Sequence, residues 1–123
     1  MGLSRTVLRR VPLVNGEKLP EWVIEPLRLG LAFGAFRQWA LGQFPDQARH
    51  GKVMHLVTEA VELWQAPDSI EELADIAGIL SHLAPSLGEL AAAMEEKLMV
   101  NRGRTWLPPD PNGVIRHAPA VES

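Results

Sequence analysis

Apolar residues recur at helical spacing in four segments of this chain, separated by turn residues. Positions i, i+4, i+7 and i+11 share one face of an α-helix, so the pattern predicts helices over residues 27–44, 52–65, 69–83 and 87–101. The stripe of the first helix consists of Leu29, Phe33, Phe36 and Ala40. The predicted fold is therefore all-α, a compact four-helix bundle with an irregular segment at each end.

Three further stripes are predicted to face the core of the bundle. The stripe of the second helix consists of Val53, Val57, Ala60, Val61 and Trp64. That of the third consists of Leu73, Ile76, Ala77 and Leu80, and that of the fourth of Leu90, Ala91, Met94 and Leu98. A short chain buries only a modest core, and small helical proteins often complete theirs by oligomerising. We therefore expect a homodimer or homotetramer.

The two ends of the chain are predicted to be irregular. Residues 1–26 form an N-terminal arm, in which the tight-turn dipeptide Asn15-Gly16 favours a small edge hairpin, while extended structure fits the prolines equally well. Residues 105–123 form a tail whose prolines cannot continue a helix, and Trp106 is a candidate anchor that holds it to the bundle. The helical domain covers residues 27–104.

Composition excludes several classes of function. The chain has 123 residues, enough for one domain, and its net charge of −3 does not indicate binding to nucleic acid or to a membrane surface. It contains no cysteine, which excludes a disulfide framework, a thiolate metal site and a cysteine nucleophile. We find no signal peptide and no apolar run of membrane length, and we expect a cytoplasmic protein.

The candidate chemistry lies in residues 59–75, a stretch with no lysine or arginine. Two acidic pairs stand there at i,i+3 spacing on consecutive helices, and these pairs are Glu59/Glu62 and Glu72/Asp75. A short turn makes the two helices antiparallel, so four carboxylates can converge on one spot. Such carboxylates repel each other unless a cation lies among them. Oxygen ligands of this kind suit Mg²⁺ or Mn²⁺.

An isolated acidic pair is usually a solvated helix face, but two pairs on neighbouring helices favour a metal site. Glu72 has a second interpretation, because Ser69 and Glu72 fit a capping box at the start of the third helix. Alternatively, Asp68 caps that helix with Glu71 at the third helical position, which leaves Glu72 free for a metal. We favour the second arrangement.

Other polar residues extend this candidate site. Lys97, Asn101 and Arg104 follow one polar side of the fourth helix. Cations near a helix C-terminus complement its dipole, but beside a metal they also make a phosphate clamp. His55 shares a stripe with Glu59, where it orients a carboxylate, contacts the substrate or is simply exposed.

The aromatic and remaining histidine side chains have simpler interpretations. Trp39 and Trp64 fit the core best, although Phe33, Phe36 and Trp39 alternatively offer a stacking face for a nucleobase. His50 and His82 are expected to be structural or solvent-facing.

The two acidic motifs, Glu59-Ala60-Val61-Glu62 and Glu72-Leu73-Ala74-Asp75, resemble those of the MazG-like all-α nucleoside triphosphate pyrophosphatases. Thr58 stands where that family has the first glutamate of its opening motif, and the spacer between the motifs is short. In both departures the sequence resembles one branch of the family, the small phage and prophage dATP/dGTP diphosphohydrolases. Matches to that branch, over about residues 33–117, are Phe36-Arg37-Gln38-Trp39, Phe44, His55-Leu56, Lys97 to Asn101, Arg104, Trp106, Asn112-Gly113 and His117.

The resemblance implies hydrolysis of the α–β phosphoanhydride of a purine (d)NTP, which releases a nucleoside monophosphate and pyrophosphate. It implies two or three Mg²⁺ or Mn²⁺ ions, with the carboxylates Glu59, Glu62, Glu72 and Asp75 as ligands and catalytic groups. Substrate contacts are expected from Lys97, Asn101, Arg104, His55 and Trp39. Some phage enzymes of this kind make dGMP from dGTP for 2-aminoadenine DNA, and a phage-encoded protein would act in the host cytoplasm.

Two rival hypotheses belong to other classes. A non-catalytic helical module would use the acidic stripe to bind a basic partner, in a salt-sensitive and metal-independent manner. An inactive MazG-like fold would bind nucleotides without cleaving them, with Thr58 as the inactivating change.

Overall fold

The computed structural model describes residues 18–119, which contain four α-helices. They are α1 (Glu21–Gln43), α2 (Arg49–Gln65), α3 (Ile70–Leu83) and α4 (Leu87–Arg102). The all-α prediction is confirmed, and the last three helices lie close to their predicted bounds. Taken singly, none of these helices is long and apolar enough to cross a membrane.

The first helix begins at Glu21, not at Leu27 as predicted. Pro20 occupies the N-cap, and its carbonyl accepts hydrogen bonds from the amides of Val23 and Ile24 at 3.0 and 3.1 Å. Ile24 is only 2% exposed, so its burial favours helix over extended structure in this segment. The expectation that the arm stays irregular up to residue 26 is therefore wrong. The hairpin turn at Asn15-Gly16 lies outside the described residues.

The chain divides into two compact units, Met1–Leu87 and Gly88–Ser123. In the first unit, α3 packs against both α1 and α2. The buried apolar residues there are Ile24, Ala40 and Ile79, and the buried polar residues are Lys52, Ser81 and His82. The buried core of the described residues is therefore small. Its three polar members, Lys52, Ser81 and His82, need hydrogen-bond partners for their side chains.

Much of the predicted core of the first unit is exposed. Trp64 is 83% exposed and Trp39 is 55% exposed, so the prediction that these two indoles are buried is wrong. Other predicted core residues that are exposed are Val53, Val57, Val61, Leu73 and Leu80. The helical periodicity is correct, but three helices in one unit leave part of each apolar stripe uncovered.

Two cationic side chains hold the C-terminal end of α3. The guanidinium of Arg37, on α1, donates to the carbonyl oxygens of Ser81, Ala84 and Pro85 at 2.9, 2.6 and 2.8 Å. The Lys52 ammonium, on α2, donates to the carbonyl oxygen of His82 at 3.1 Å. Carbonyls at a helix C-terminus lack intrahelical partners and carry partial negative charge, so both contacts are favourable.

The second unit consists of the rest of α4 and an ordered tail. No residue of α4 is buried, so its predicted inward stripe does not form a core within the described part of the chain. The indole of Trp106 donates to the Asn101 carbonyl oxygen at 3.1 Å, which ties the start of the tail to the end of α4, and its role as an anchor to the bundle stays a prediction. Residues 105–118 fold back on themselves through an antiparallel bridge between Trp106 and His117, with a turn in which Gly113 has a φ of 80°.

Candidate active site

Helices α2 and α3 bring three of the four predicted carboxylates together. One oxygen each from Glu59, Glu62 and Glu72 lies within 4.8 Å of the others. Asp75 falls outside that group, but it lines the same cavity as Glu59, and its charge acts on both Glu59 and Glu72. The i,i+3 spacing therefore places the carboxylates on facing sides of an antiparallel helix pair.

Two oxygens of this cluster are buried without a hydrogen-bond donor among the described residues, Glu59 Oε2 and Glu72 Oε2. The Glu59 side chain is only 12% exposed, so solvent compensates little of its charge. Buried carboxylate oxygens without partners are costly. A hard divalent cation is the ligand that such an all-oxygen donor set fits, and Glu59, Glu62 and Glu72 are placed to hold it.

Burial and the neighbouring carboxylates raise the pKa of two of these groups. The pKa of Glu59 lies above its ordinary value, first because its carboxylate and that of Glu62 lie close enough to share a proton. Burial and the charges of Glu62 and Asp75 raise it further, while the hydrogen bond from His55 lowers it. The pKa of Glu72 is raised chiefly by burial, then by Glu62, Glu59 and Asp75. Protons and a cation therefore compete for the same oxygens.

His55 contacts the carboxylate cluster directly. Its Nε2 lies 3.1 Å from Glu59 Oε1, one helical turn along α2. Its ring also lines the cavity beside the cluster. The contact with Glu59 fits a role in orienting that carboxylate, and the place of His55 in the cavity lining fits contact with the substrate, so its role stays a prediction.

The N-terminal cap of α3 differs from the arrangement favoured on sequence grounds. Ser69, not Asp68, is the N-cap, and its Oγ accepts a hydrogen bond from the Glu72 amide at 3.3 Å. The Ser69 amide donates to the Ala66 carbonyl oxygen at 3.0 Å, so the return bond of a capping box is not needed. The Glu72 carboxylate is consequently left to the acidic cluster, as predicted, although for a different reason.

A cavity of about 290 Å³ opens beside the cluster among α1, α2 and α3. Its lining residues are Phe36, Trp39, Phe44, Gln47, His55, Glu59, Asp75, Ile79 and His82. The Trp39 ring makes edge contacts with Phe36 and Phe44, at centroid distances of 5.4 and 5.6 Å. The cavity is thus lined by both acidic and aromatic side chains.

Sequence reasoning missed two polar residues of this cavity. His82, predicted to be structural or solvent-facing, is 6% exposed and its ring lines the cavity. Gln47 lies between α1 and α2, in a segment with no helical periodicity to draw attention to it. For His82, the one signal in the sequence is its spacing of seven positions from Asp75, which puts both residues on the same face of α3.

The predicted phosphate-binding residues belong to the second unit. Lys97 and Asn101 stand one turn apart on α4, and Arg104 follows its end. The Arg104 guanidinium donates to Asn101 Oδ1 at 3.2 Å, so these two side chains are in contact. Their role in binding phosphate stays a prediction.

A model of the dATP/dGTP pyrophosphohydrolase family matches residues 33–120. The chain belongs to this family. The matched region contains both acidic motifs, His55, Trp39 and the basic residues of the second unit, so the resemblance seen in the sequence is confirmed. The protein is therefore a hydrolase of nucleotide anhydrides, of the nucleoside triphosphate pyrophosphohydrolase type.

A solved structure supports the same relationship. It is the cyanophage S-2L MazG-like pyrophosphohydrolase bound to dGDP and three catalytic Mn²⁺ ions per active site. The two proteins share 29% sequence identity with a TM-score of 0.62, over 74% of this chain and 97% of the cyanophage chain. A search of curated proteins finds no match to this pyrophosphohydrolase.

Proposed function

We propose that this pyrophosphohydrolase cleaves the α–β phosphoanhydride of purine deoxynucleoside triphosphates, dGTP or dATP, with Mg²⁺ or Mn²⁺ as cofactor. The products are a nucleoside monophosphate and pyrophosphate. The observation that carries the proposal is the pair of buried, unpartnered oxygens on Glu59 and Glu72 within an all-carboxylate cluster. The cyanophage structure supports it, because that protein is described with dGDP and three catalytic Mn²⁺ ions.

In the proposed mechanism, Glu59, Glu62, Glu72 and Asp75 would hold two or three cations, which would supply charge to polarise phosphate oxygens and lower the pKa of an attacking water. Glu59 would also accept a proton from the attacking water. The hydrogen bond from His55 keeps the Glu59 carboxylate in one orientation.

The substrate is held by two groups of residues. Lys97, Asn101 and Arg104 contact the phosphates, since Lys and Arg form charge-assisted hydrogen bonds with phosphate oxygens. The base lies in the aromatic cavity against Trp39, whose exposed ring offers a stacking surface next to the carboxylates.

The protein acts as a homodimer or homotetramer in this proposal. Support comes from the exposed apolar residues on α2, which include Met54, Val57, Val61 and Trp64, and from α4, where no residue is buried. Contiguous exposed apolar surface usually marks an interaction site.

The rival hypotheses fit the described residues less well. A solvated acidic stripe that binds a basic partner would not bury carboxylate oxygens without donors. Thr58, the suspected inactivating change, lies outside the three-carboxylate group, and its hydroxyl donates to the Met54 carbonyl oxygen at 3.1 Å. The three-carboxylate group forms without a glutamate at that position.

The decisive experiment measures pyrophosphate release from a panel of dNTPs and NTPs with Mg²⁺, Mn²⁺ or EDTA. We expect metal-dependent release from dGTP or dATP. Asp75→Asn should abolish it, whereas Glu71→Gln, which removes an exposed carboxylate from the same helix, should not. Release by Asp75→Asn at the wild-type rate would refute the ligand assignment, and no release from any nucleotide by the folded wild type would refute the function.

A further inference from the structure

The wall of the cavity formed by α3 carries three residues in one line. Asp75, Ile79 and His82 stand at i, i+4 and i+7, and all three line the cavity. Seven residues of α-helix rise about 10 Å. A nucleotide whose phosphates lie at the Asp75 end has room along this line for its sugar and base to reach His82.

The His82 ring has one enclosed nitrogen. Nδ1 is buried and has no hydrogen-bond partner among the described residues. Nε2 is not among the buried, unpartnered atoms, and His82 lines the cavity, so Nε2 is the ring nitrogen available to a ligand. We assign the proton of the neutral ring to Nε2, because a proton on Nδ1 would be a buried donor without an acceptor. A protonated ring also carries one there, and His82 presents a donor in either state.

The backbone around His82 is held firmly in place. Lys52 binds the His82 carbonyl oxygen at 3.1 Å, and Arg37 binds the carbonyl oxygen of the preceding Ser81 at 2.9 Å. These contacts come from two different helices and converge on the same turn of α3. A residue whose backbone is fixed in this way suits discrimination between ligands that differ by one polar atom.

We infer that His82 is a specificity-determining residue of the base pocket, and that its Nε2–H donates a hydrogen bond to the 6-oxo group of guanine. This inference rests on the proposed function. Guanine presents an acceptor, O6, where adenine presents a donor amine. A fixed donor at this position therefore favours dGTP over dATP, because the adenine amine would face another donor.

Gln47 is the competing candidate, since it also lines the cavity and its amide offers both a donor and an acceptor. It stands outside the helices, whereas His82 is anchored on α3. We therefore assign discrimination at the purine 6-position to His82.

The test compares kcat/KM for dGTP with that for the triphosphate of 2-aminopurine deoxyriboside, which keeps the 2-amino group but lacks the 6-oxo group. Both are measured on the same preparation with Mn²⁺, and dATP is measured in parallel. We expect the wild type to prefer dGTP over both. His82→Phe should lower the ratio of dGTP to the 2-aminopurine substrate by roughly 3- to 10-fold, the effect of one neutral hydrogen bond. His82→Gln, which restores an N–H donor, should recover part of the ratio.

Because the ratio is taken on one preparation, a partly unfolded variant does not distort it. His50→Gln is the matched control, since His50 is exposed and lies outside the cavity. Equal use of dGTP and the 2-aminopurine substrate by the wild type would overturn the inference without any variant. An unchanged ratio in His82→Phe, or a ratio that falls in Gln47→Met instead, would also overturn it. Absence of all turnover would refute the proposed function, which is a distinguishable result.

Discussion

The ring of Phe36, on α1, lies directly against Gly78, on α3. A Cβ added at Gly78 would come within 2.6 Å of Phe36 Cζ and 2.7 Å of Cε1. The same ring makes an edge contact with Trp39 and lines the cavity beside the acidic cluster. Gly78 thus sets how closely α1 and α3 approach at the aromatic wall of the site.

Gly78→Ala should destabilise the protein, although alanine is the better helix former. The methyl group would force the Phe36 ring or the helices apart, at a cost of about 1–3 kcal/mol. Gly30→Ala on α1 is the control, because a Cβ added there would meet no atom within 4 Å and the change should stabilise the helix by about 0.5–1 kcal/mol. Urea denaturation measures both free energies of unfolding. Equal effects of the two substitutions would contradict a tight contact at Gly78.

Glu72→Gln should separate the effect of the acidic cluster on stability from its role in binding metal. Removing one negative charge relieves repulsion with Glu59 and Glu62, so the metal-free protein should melt at a higher temperature than the wild type. The same change should reduce the rise in melting temperature on adding Mn²⁺ and abolish turnover. Thermal melts with and without Mn²⁺ measure this, with Glu71→Gln as the control. A variant that kept the full Mn²⁺ shift would show that Glu72 is not a ligand.

Stabilisation by Mn²⁺ should increase with pH. The folded pKa values of Glu59 and Glu72 are raised above 4.5, so without metal the folded state binds more protons than the unfolded state above that pH. Without metal, the contribution of Glu59 and Glu72 to the free energy of unfolding therefore falls as pH rises from 4.5 through their raised pKa values. Bound Mn²⁺ displaces those protons and removes the loss.

The quantity to measure is the difference in melting temperature with and without Mn²⁺ from pH 4.5 upwards. His82 titrates in the opposite sense. Burial, Lys52, His55 and Arg37 lower its pKa below 6.5, so its contribution to stability is lost as pH falls from 6.5 through the lowered pKa. Its contribution is present in both melts and largely cancels in the difference. A difference that did not change with pH would argue against competition between protons and metal.

Arg37→Gln should destabilise the fold more than an average surface substitution. The guanidinium serves three carbonyl oxygens at the C-terminal end of α3, and hydrogen bonds from a charged group contribute about 1.5–3 kcal/mol each, without full additivity. We expect a loss on the order of 3 kcal/mol, measured by urea denaturation. Arg49→Gln, at an exposed position at the start of α2, is the control and should change stability little. Similar values for both variants would mean that the carbonyl contacts contribute nothing specific.

Local spacing is sufficient to predict the helices and the acidic pairs. Helical periodicity and i,i+3 spacing depend only on neighbouring residues, so α2 to α4 and the grouping of Glu59 with Glu62 follow from the sequence. The helical start at Glu21 does not, because it depends on the burial of Ile24 against other parts of the fold.

The cap of α3 shows a limit of the same kind. Both Asp68 and Ser69 are good N-cap residues, and sequence offers no way to choose between them. Backbone geometry favours Ser69, since its Oγ reaches the Glu72 amide while its own amide bonds to Ala66. The Glu72 carboxylate is still free for the cluster, because the Ser69 amide donates to Ala66 and does not need Glu72 as an acceptor.

The all-α class, the two acidic motifs and, through the match over residues 33–120, the family can all be read from the order of the amino acids. These features are local or are recognised by pattern. The buried, unpartnered oxygens of Glu59 and Glu72, and the shared cavity of Trp39 and His82, emerge only once the helices have packed. Residues such as His82 become part of a site through contacts between helices. The spacing of residues along one helix does not say which other helix will pack against a given face.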